Sequence, residues 1–417
     1  MQSLLECLNQ FCKRYFYLLF QSTSISTTSI GIVLIITPQT LAASFNSINT
    51  IKGSRGTGFS HESVDMITDL LYARPSSTYS LMDTHGAYNA NRDYALGDSE
   101  LWHIGEQRFG TNALIAGLLH DDALAIDAGL QMWDWGFAQQ LEDGSFAYTG
   151  DPFHSTSLFV QSVSYGLLTL QESALEQYAD IVEQYLPGLQ SAARWMIQED
   201  VWNRGSSNNR PYTHRNYLVG TALGLTGKLT GDSELLNYAN SIIAQGLTLQ
   251  LSDGVNPEKG GYDTSYQMAG ALAAMRWLTH FESDPLARDI AEMINQALRW
   301  EESMILATGE ISTEGNARTG QDQELTRSGQ TKQVNHRDVV YGFAYWASMT
   351  GNSRWHDNAY QIANYYYSHD PRAGAILASI DANPDIVAST PEPSHGIAFT
   401  ILLALCFLTV RKPKCQN

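Results

Sequence analysis

Residues 44–390 of this 417-residue chain contain no cysteine, because the four present are Cys7, Cys12, Cys406 and Cys415, all near the ends. That absence excludes a disulfide framework, a thiolate zinc site and a cysteine nucleophile from the central block. Positive charge is also scarce, with 25 Lys and Arg against 43 Asp and Glu. The two ends together carry +3, so residues 44–390 hold −21 of the formal −18. A block so acidic repels nucleic acid and anionic membrane surfaces. No phosphate-cradling glycine loop, no metal-ligand spacing and no Ser-His-Asp order is present. No cofactor is therefore expected, with a structural calcium ion at an Asp-rich loop left as an open option. Disorder is excluded as well, since 43% of the chain is hydrophobic and 11% aromatic.

The ends differ from the middle. Lys13 and Arg14 precede an apolar run, "IGIVLIITPQTLAAS", that closes in small residues, so residues 1–43 are predicted to be a signal peptide cleaved near Ala42 or Ala43. At the other end, Pro391-Glu392-Pro393 leads into an apolar stretch, Gly396 to Val410, and then Arg411, Lys412 and Lys414. That stretch is shorter than the ~20 residues of a stable spanning helix. The basic end would stay cytoplasmic, with the preceding domain across the membrane. In order and spacing, residues 391–417 resemble the PEP-CTERM sorting signal of Gram-negative bacteria. The resemblance implies an exosortase-type sorting protease as partner, cells that make exopolysaccharide, and a destination that is periplasmic, cell-surface or extracellular. A simple C-terminal anchor is the alternative, and either reading exports the domain.

The central block repeats itself. Gln-Leu-x-Asp-Gly occurs at 140–144 and 250–254, and each copy ends a helical pattern that begins 21 residues before its Asp, at Asp122 and Asp232. Apolar residues recur at three-and-four spacing in both patterns, as a helix lying on a core requires. A Gly/Ala-rich helix precedes each, and a third copy aligns Thr350-Gly351-Asn352 with Thr230-Gly231-Asp232. The unit is an inner helix, a tight glycine turn, an outer helix and a polar return loop. At roughly 55 residues per hairpin, five to seven hairpins fit. The fold class is predicted as all-α, an (α/α)6 toroid over residues 44–390.

With Gln-Leu-x-Asp-Gly, "GGYDTSYQ" at 260–267 and "WHIGEQRFG" at 102–110, residues 95–368 resemble the six-hairpin glycan-active proteins, glycosidases and the toroid domains of polysaccharide lyases. Toroid terpene cyclases share such turns but need an Asp-rich acid motif, which is missing. The resemblance implies a cleft fed by the ends and loops that precede the inner helices, with a polysaccharide or oligosaccharide as substrate.

Four stretches could supply that cleft. The first, Asp83–Asp93 with Trp102–Arg108, offers Trp102 to stack on a sugar and His103 to bond its hydroxyls. A solvated loop with a buried Trp reads equally well. The second holds Tyr148, Asp151 and His154, at what is also a good helix start. The third runs Asn208, Asn209, Arg210, Tyr212, His214, Arg215. The toroid lyases use an Asn, His, Tyr and Arg set, which implies Asn208 or Asn209 and Arg215 on a uronate carboxylate while His214 and a Tyr move the proton. Simple pairing of His214 and Arg215 with surface acids is the alternative. The fourth, residues 309–342, contains Glu310, Glu314, Arg318 and the echo His336-Arg337-Asp338. Between the last two lie Tyr262, Asp263 and Tyr266, additions to the repeat scaffold ahead of an inner helix; Asp263 reads either as N-cap or as a catalytic acid. Three functions remain: β-elimination on uronic-acid polymers, hydrolysis by paired carboxylates such as Asp263 with Glu106, Glu310 or Glu314, or glycan binding without catalysis.

Overall fold

A computed structural model describes residues 82–88, 104–120, 122–147, 149–172, 178–326 and 329–369. The signal-peptide and sorting-signal predictions, including Pro391, Glu392, Pro393 and Arg411, lie outside these residues, as do Trp102 and His103. Among the described residues the secondary structure is helical, and no helix is long and apolar enough to cross a membrane.

After a short 3-10 turn, Ile104–Arg108, eleven helices follow among the described residues. They are α1 (Phe109–His120), α2 (Ala123–Ala138), α3 (Pro152–Glu172), α4 (Ala179–Met196), α5 (Glu199–Asn209), α6 (Thr213–Thr230), α7 (Ser233–Leu247), α8 (Thr264–His280), α9 (Ala287–Ser303), α10 (His336–Thr350) and α11 (Ser353–Tyr367). Five pairs form hairpins: α1 with α2, α3 with α4, α6 with α7, α8 with α9 and α10 with α11. The first members, α1, α3, α6, α8 and α10, also touch one another in that order. They are the inner helices of the sequence pattern, and most of α3, α6 and α8 is buried on every side.

The hairpin turns form for the reasons read from sequence. Gly231 and Gly351 close α6 and α10 in the left-handed conformation, with φ of 69° each. Asp122, Asp232 and Asn352 then cap α2, α7 and α11, the two aspartates each accepting two backbone N–H groups of the first turn and Asn352 one.

Side chains of separate inner helices meet in the interior. Arg276 of α8 donates to Gln161 of α3 at 3.1 Å and lies over the Tyr165 ring at 5.1 Å. Tyr345 of α10 bonds Thr279 of α8 at 2.6 Å. Ile115, Tyr165, Leu168 and Leu225 of α1, α3 and α6 form a small apolar cluster.

Each Gln-Leu-x-Asp-Gly stretch is a tight hairpin that docks on the outer helix of the next pair. Gln140 Nε2 donates to Gly144 O and to Gly188 O of α4, and Gln250 Nε2 to Gly254 O and Met293 O of α9. A Cβ on Gly144 would stand 2.3 Å from Ser191 O, and one on Gly254 2.3 Å from Gln296 O. The same turn recurs where the sequence motif has faded, at Met82–Tyr88 against α2 and at Ile305–Ile311 against α11. The Gln and Asp are gone from both, and the glycine remains, Gly86 at φ 88° and Gly309 at φ 91°. One position breaks the pattern. After α4 the expected polar loop is instead helix α5, whose Trp202 meets Tyr238 of α7 at 4.8 Å and whose Gly205 backs on Phe153.

Candidate functional site

The first turns of α3, α6 and α8 and the long segment between α9 and α10 bring one polar cluster together. At its centre is Glu258, fully buried. It is held by reciprocal backbone hydrogen bonds with Gly261, and the flanking Thr213 N and Lys259 N bond Pro257 O and Pro211 O. Glu258 Oε1 accepts the His214 backbone N–H at 3.1 Å and stands 2.7 Å from His214 Nδ1. Tyr212, the residue before α6, provides no side-chain cap, so a carboxylate from another segment occupies the positive end of that helix. Arg318 Nη1 donates to the other oxygen, Glu258 Oε2, at 3.3 Å.

A carboxylate so placed accepts a proton from Nδ1, leaving Nε2 of a neutral imidazole as the lone-pair nitrogen. Among the described residues His214 Nε2 has no hydrogen-bond partner. Burial pushes the His214 pKa down and the Arg215 and Arg318 charges add to that, against the opposing pull of Glu258. The imidazole is therefore kept neutral, the state a proton acceptor needs.

Tyr266, in the first turn of α8, puts its ring 4.7 Å from the His214 ring. Arg318 lies over the same ring at 3.7 Å and Lys332 at 4.8 Å. Arg318 also lies 4.7 Å from the Tyr212 ring, and Arg215 4.4 Å from it. Cations and rings thus alternate, Arg215, Tyr212, Arg318, Tyr266, Lys332, each contact of a kind worth about 0.5–2 kcal/mol. No hydrogen bond holds the Tyr266 hydroxyl among the described residues. Glu324 gathers three of the cations: Arg318 at 3.1 Å, Lys332 at 2.9 Å, and Lys259 in direct contact. Burial raises its pKa, but the hydrogen bonds from Lys259, Arg318 and Lys332 outweigh that and hold it at about 2.

Arg215 donates to Asn209 Oδ1 at 2.9 Å and to Asp151 Oδ2 at 3.4 Å. His154, one turn into α3, has a sealed Nδ1 without a partner. Burial first, then the charges of Arg215, His214, Arg108 and Arg318, hold its pKa well below the ordinary value. Four cations, Arg215, Lys259, Arg318 and Lys332, thus stand with four carboxylates, Asp151, Glu258, Asp263 and Glu324, in a chain whose net charge is −18.

Of the residues singled out from sequence, His214, Tyr266, Arg215 and Asn209 come together here. Asp263 is the N-cap of α8, fully buried. Its Oδ1 accepts Ser265 N and Tyr266 N, and its Oδ2 accepts Arg318 N at 2.9 Å and Thr319 N at 2.8 Å. Its carboxylate is consumed by fastening the Arg318 segment to α8. Tyr262 turns the other way, donating to Glu314 O at 2.9 Å beside Trp300. Asn208 is exposed on α5. His336 stacks on Tyr366 at 4.3 Å with Nδ1 3.0 Å from Tyr367 Oη, and so is engaged with α11. Arg337 beside it is exposed. Glu258, Glu324 and Lys332 escape a reading by spacing, because they reach the cluster from loops with no periodicity. Glu106 pairs with Arg108 at 3.2 Å, and Glu314 is exposed.

Behind Asp263 lies Glu301 of α9, fully buried, with neither carboxyl oxygen hydrogen-bonded. Burial, and then the nearby Asp263 charge, push its pKa well above the ordinary value. Among the described residues no group of three or more His, Cys, Asp or Glu side chains is placed to hold a metal ion.

Neither a protein-family model nor any curated protein matches this chain.

Proposed function

We propose that residues 44–390 form an (α/α)6 toroid and that the His214–Tyr266 cluster cleaves an acidic polysaccharide by β-elimination. The observation that carries this reading is the pairing of a buried, neutral His214 with the Tyr266 ring 4.7 Å away, under the guanidinium of Arg318. The toroid is supported by the ordered contacts of five inner helices and by the Met82–Tyr88 turn, whose relatives at 140–146 and 305–311 each follow an outer helix.

Elimination from a uronate requires loss of the proton beside a carboxylate that is itself negative. Arg318, with Lys332 and Arg215, offers the charge that makes the resulting carbanion tolerable. His214 Nε2 takes the ring proton. The electron pair forms the carbon–carbon double bond as the glycosidic oxygen leaves, and the Tyr266 hydroxyl returns a proton to that oxygen. Arg215 holds the carboxylate with Asn209 as its support. The Arg and Lys side chains gathered here also answer how a polyanion approaches an acidic chain, because beyond ~8–10 Å the rest of the field is screened in salt. The hydrolytic alternative loses its chief candidate acid, since the Asp263 carboxylate is occupied as a cap and loop anchor.

The proposed route is export across the inner membrane of a Gram-negative bacterium through the signal peptide, with an exosortase-type protease acting on the PEP-CTERM tail. The test is incubation of the purified chain with uronic-acid and neutral polysaccharides, following the ultraviolet absorbance of unsaturated product alongside reducing ends. Elimination predicts absorbance gain on the acidic polymers, reduced about 10²–10⁴-fold in His214→Ala and in Tyr266→Phe. Reducing ends without absorbance would establish hydrolysis instead, and saturable binding with neither would establish a glycan-binding protein.

A further inference from the structure

His154, in the first turn of α3, belongs to a stripe of that helix that looks into the interior. His154, Gln161 and Tyr165 are seven and then four residues apart, which places them on one helix face. Gln161 accepts from Arg276 of α8 at 3.1 Å, and the same guanidinium lies over the Tyr165 ring at 5.1 Å. The stripe is therefore turned toward α8, whose first turn carries Tyr266. The start of α3 is also tied to Arg215: Asp151 Oδ1 accepts the His154 backbone N–H at 3.3 Å, and Asp151 Oδ2 accepts Arg215 Nη1 at 3.4 Å. His154 is part exposed to solvent and still strongly desolvated, the position of a ring on the wall of a recess. Its Nδ1 is sealed without a partner. Its Nε2 is neither sealed nor hydrogen-bonded among the described residues, and so is the nitrogen open to a ligand.

We propose, on the basis of the elimination reading, that His154 is a substrate-binding residue that donates from Nε2 to the carboxylate of the uronate deprotonated by His214. The ring is neutral and has one proton to place. On Nδ1 that proton would be a sealed donor with no acceptor, whereas on Nε2 it meets water or substrate. His154 therefore carries Nε2–H. His214 is the reverse case, because Glu258 takes its Nδ1 proton and leaves Nε2 as a lone pair. The two imidazoles thus present Nε2 in opposite states, one giving a hydrogen bond and the other taking a proton. With the charges of Arg215, Arg108 and Arg318 reaching His154, the acceptor that suits it is an anion. A carboxylate has lone pairs enough to take His154 and Arg215 together. Its oxygens gain charge as the carbanion forms, so a fixed neutral donor bonds them more strongly as the reaction proceeds. His154 itself moves no proton.

Nitrogen NMR of the purified chain with isotope-labelled histidine, read through the carbon-bound ring protons, tests the tautomers, and His154→Gln assigns the signal. His154 is expected to carry its proton on Nε2 and His214 on Nδ1. Galacturonate and mannuronate trimers should move the His154 Nε2 signal, and neutral cellotriose should not. On an acidic polymer that yields unsaturated product, His154→Ala should lower kcat/KM about 10²-fold. His154→Gln, which restores a neutral donor, should recover about tenfold of that loss and leave the acid limb of the pH profile in place. The proposal is overturned by a His154 proton on Nδ1, by a His154 signal that stays still while that of His214 moves, or by a His154→Ala chain as active as the wild type. A His154→Gln chain as inactive as His154→Ala would also overturn it, since the ring would then be a proton carrier. Trimers that move the His154 signal without any polymer yielding unsaturated product would sink elimination and leave His154 as a binding residue. Trimers that move neither histidine would sink both.

Discussion

Glu258 Oε1 stands 2.7 Å from His214 Nδ1 and 3.1 Å from the backbone nitrogen of the same residue, so one oxygen fixes both the imidazole and the start of the helix that carries it. Glu258→Gln keeps the shape and removes the charge, leaving Arg318 with Glu324 alone. Breaking a buried pair in this way costs about 3 kcal/mol. Urea unfolding of the variant should show that loss, together with a further fall in the pKa of His214 by NMR titration, since Glu258 is the group that raises it.

Stability should decline on the acid side of neutrality. His214 and His154 both have folded-state pKa values below the unfolded value of about 6.5. Below that value the unfolded chain binds protons the folded chain refuses, so the histidines' contribution is complete above it and is lost as pH falls toward the folded values. Melting temperatures measured from pH 7.5 down to 5 should drop for the wild type and drop less for His154→Gln.

Asp263→Ala removes an N-cap, which alone costs about 0.5–2 kcal/mol. It also leaves the buried amides of Arg318 and Thr319 without their acceptor. A total near 3 kcal/mol is expected. Hydrogen exchange should locate the damage, with faster exchange in residues 313–326 while α3 and α4 stay protected.

Glu301 has the opposite sign from the histidines. Its folded pKa is raised, so above the ordinary carboxylate value the folded chain holds a proton that the unfolded chain has released. Stability therefore falls with rising pH, by about 1.4 kcal/mol per pH unit until the folded value is reached. Glu301→Gln should abolish that slope and melt higher than the wild type at pH 8. Equal slopes in the two proteins would rule out the buried acid as its source.

Two glycines separate turn conformation from close packing. Gly231 has a φ of 69° and open space around it, so Gly231→Ala should cost only the left-handed penalty of about 1–2 kcal/mol. Gly254 has a φ of 94° and a Cβ there would stand 2.3 Å from Gln296 O. Gly254→Ala should cost at least twice as much, read from denaturant midpoints.

What the sequence revealed of the fold was the part written in local chemistry. Asp122 and Asp232 were legible as helix starts because the three-and-four apolar spacing begins just after them, and Gly231 and Gly351 as turns because a left-handed residue needs glycine. The turns at 82–88 and 305–311 were not legible, since once Gln and Asp are gone a single positive-φ glycine carries no pattern. Helix α5 was hidden for a different reason. "EDVWNRGSSNN" is poor in helix formers, and packing of Trp202 and Gly205 on neighbouring helices decides its state. In the site, His214, Arg215 and Tyr266 announce themselves at helix starts, whereas Glu258 lies 44 residues from its histidine and meets it only through tertiary structure.

The docked turns give the hairpins a direction. Gly86 is covered by α2, Gly144 by α4, Gly254 by α9 and Gly309 by α11, in each case by a helix later in the chain. At these four places the hairpins overlap like roof tiles laid from the N-terminal end, the later one holding down the edge of the one before. Stripping residues from the C-terminus lifts a cover and exposes the turn beneath it, and damage should travel back up the chain from there.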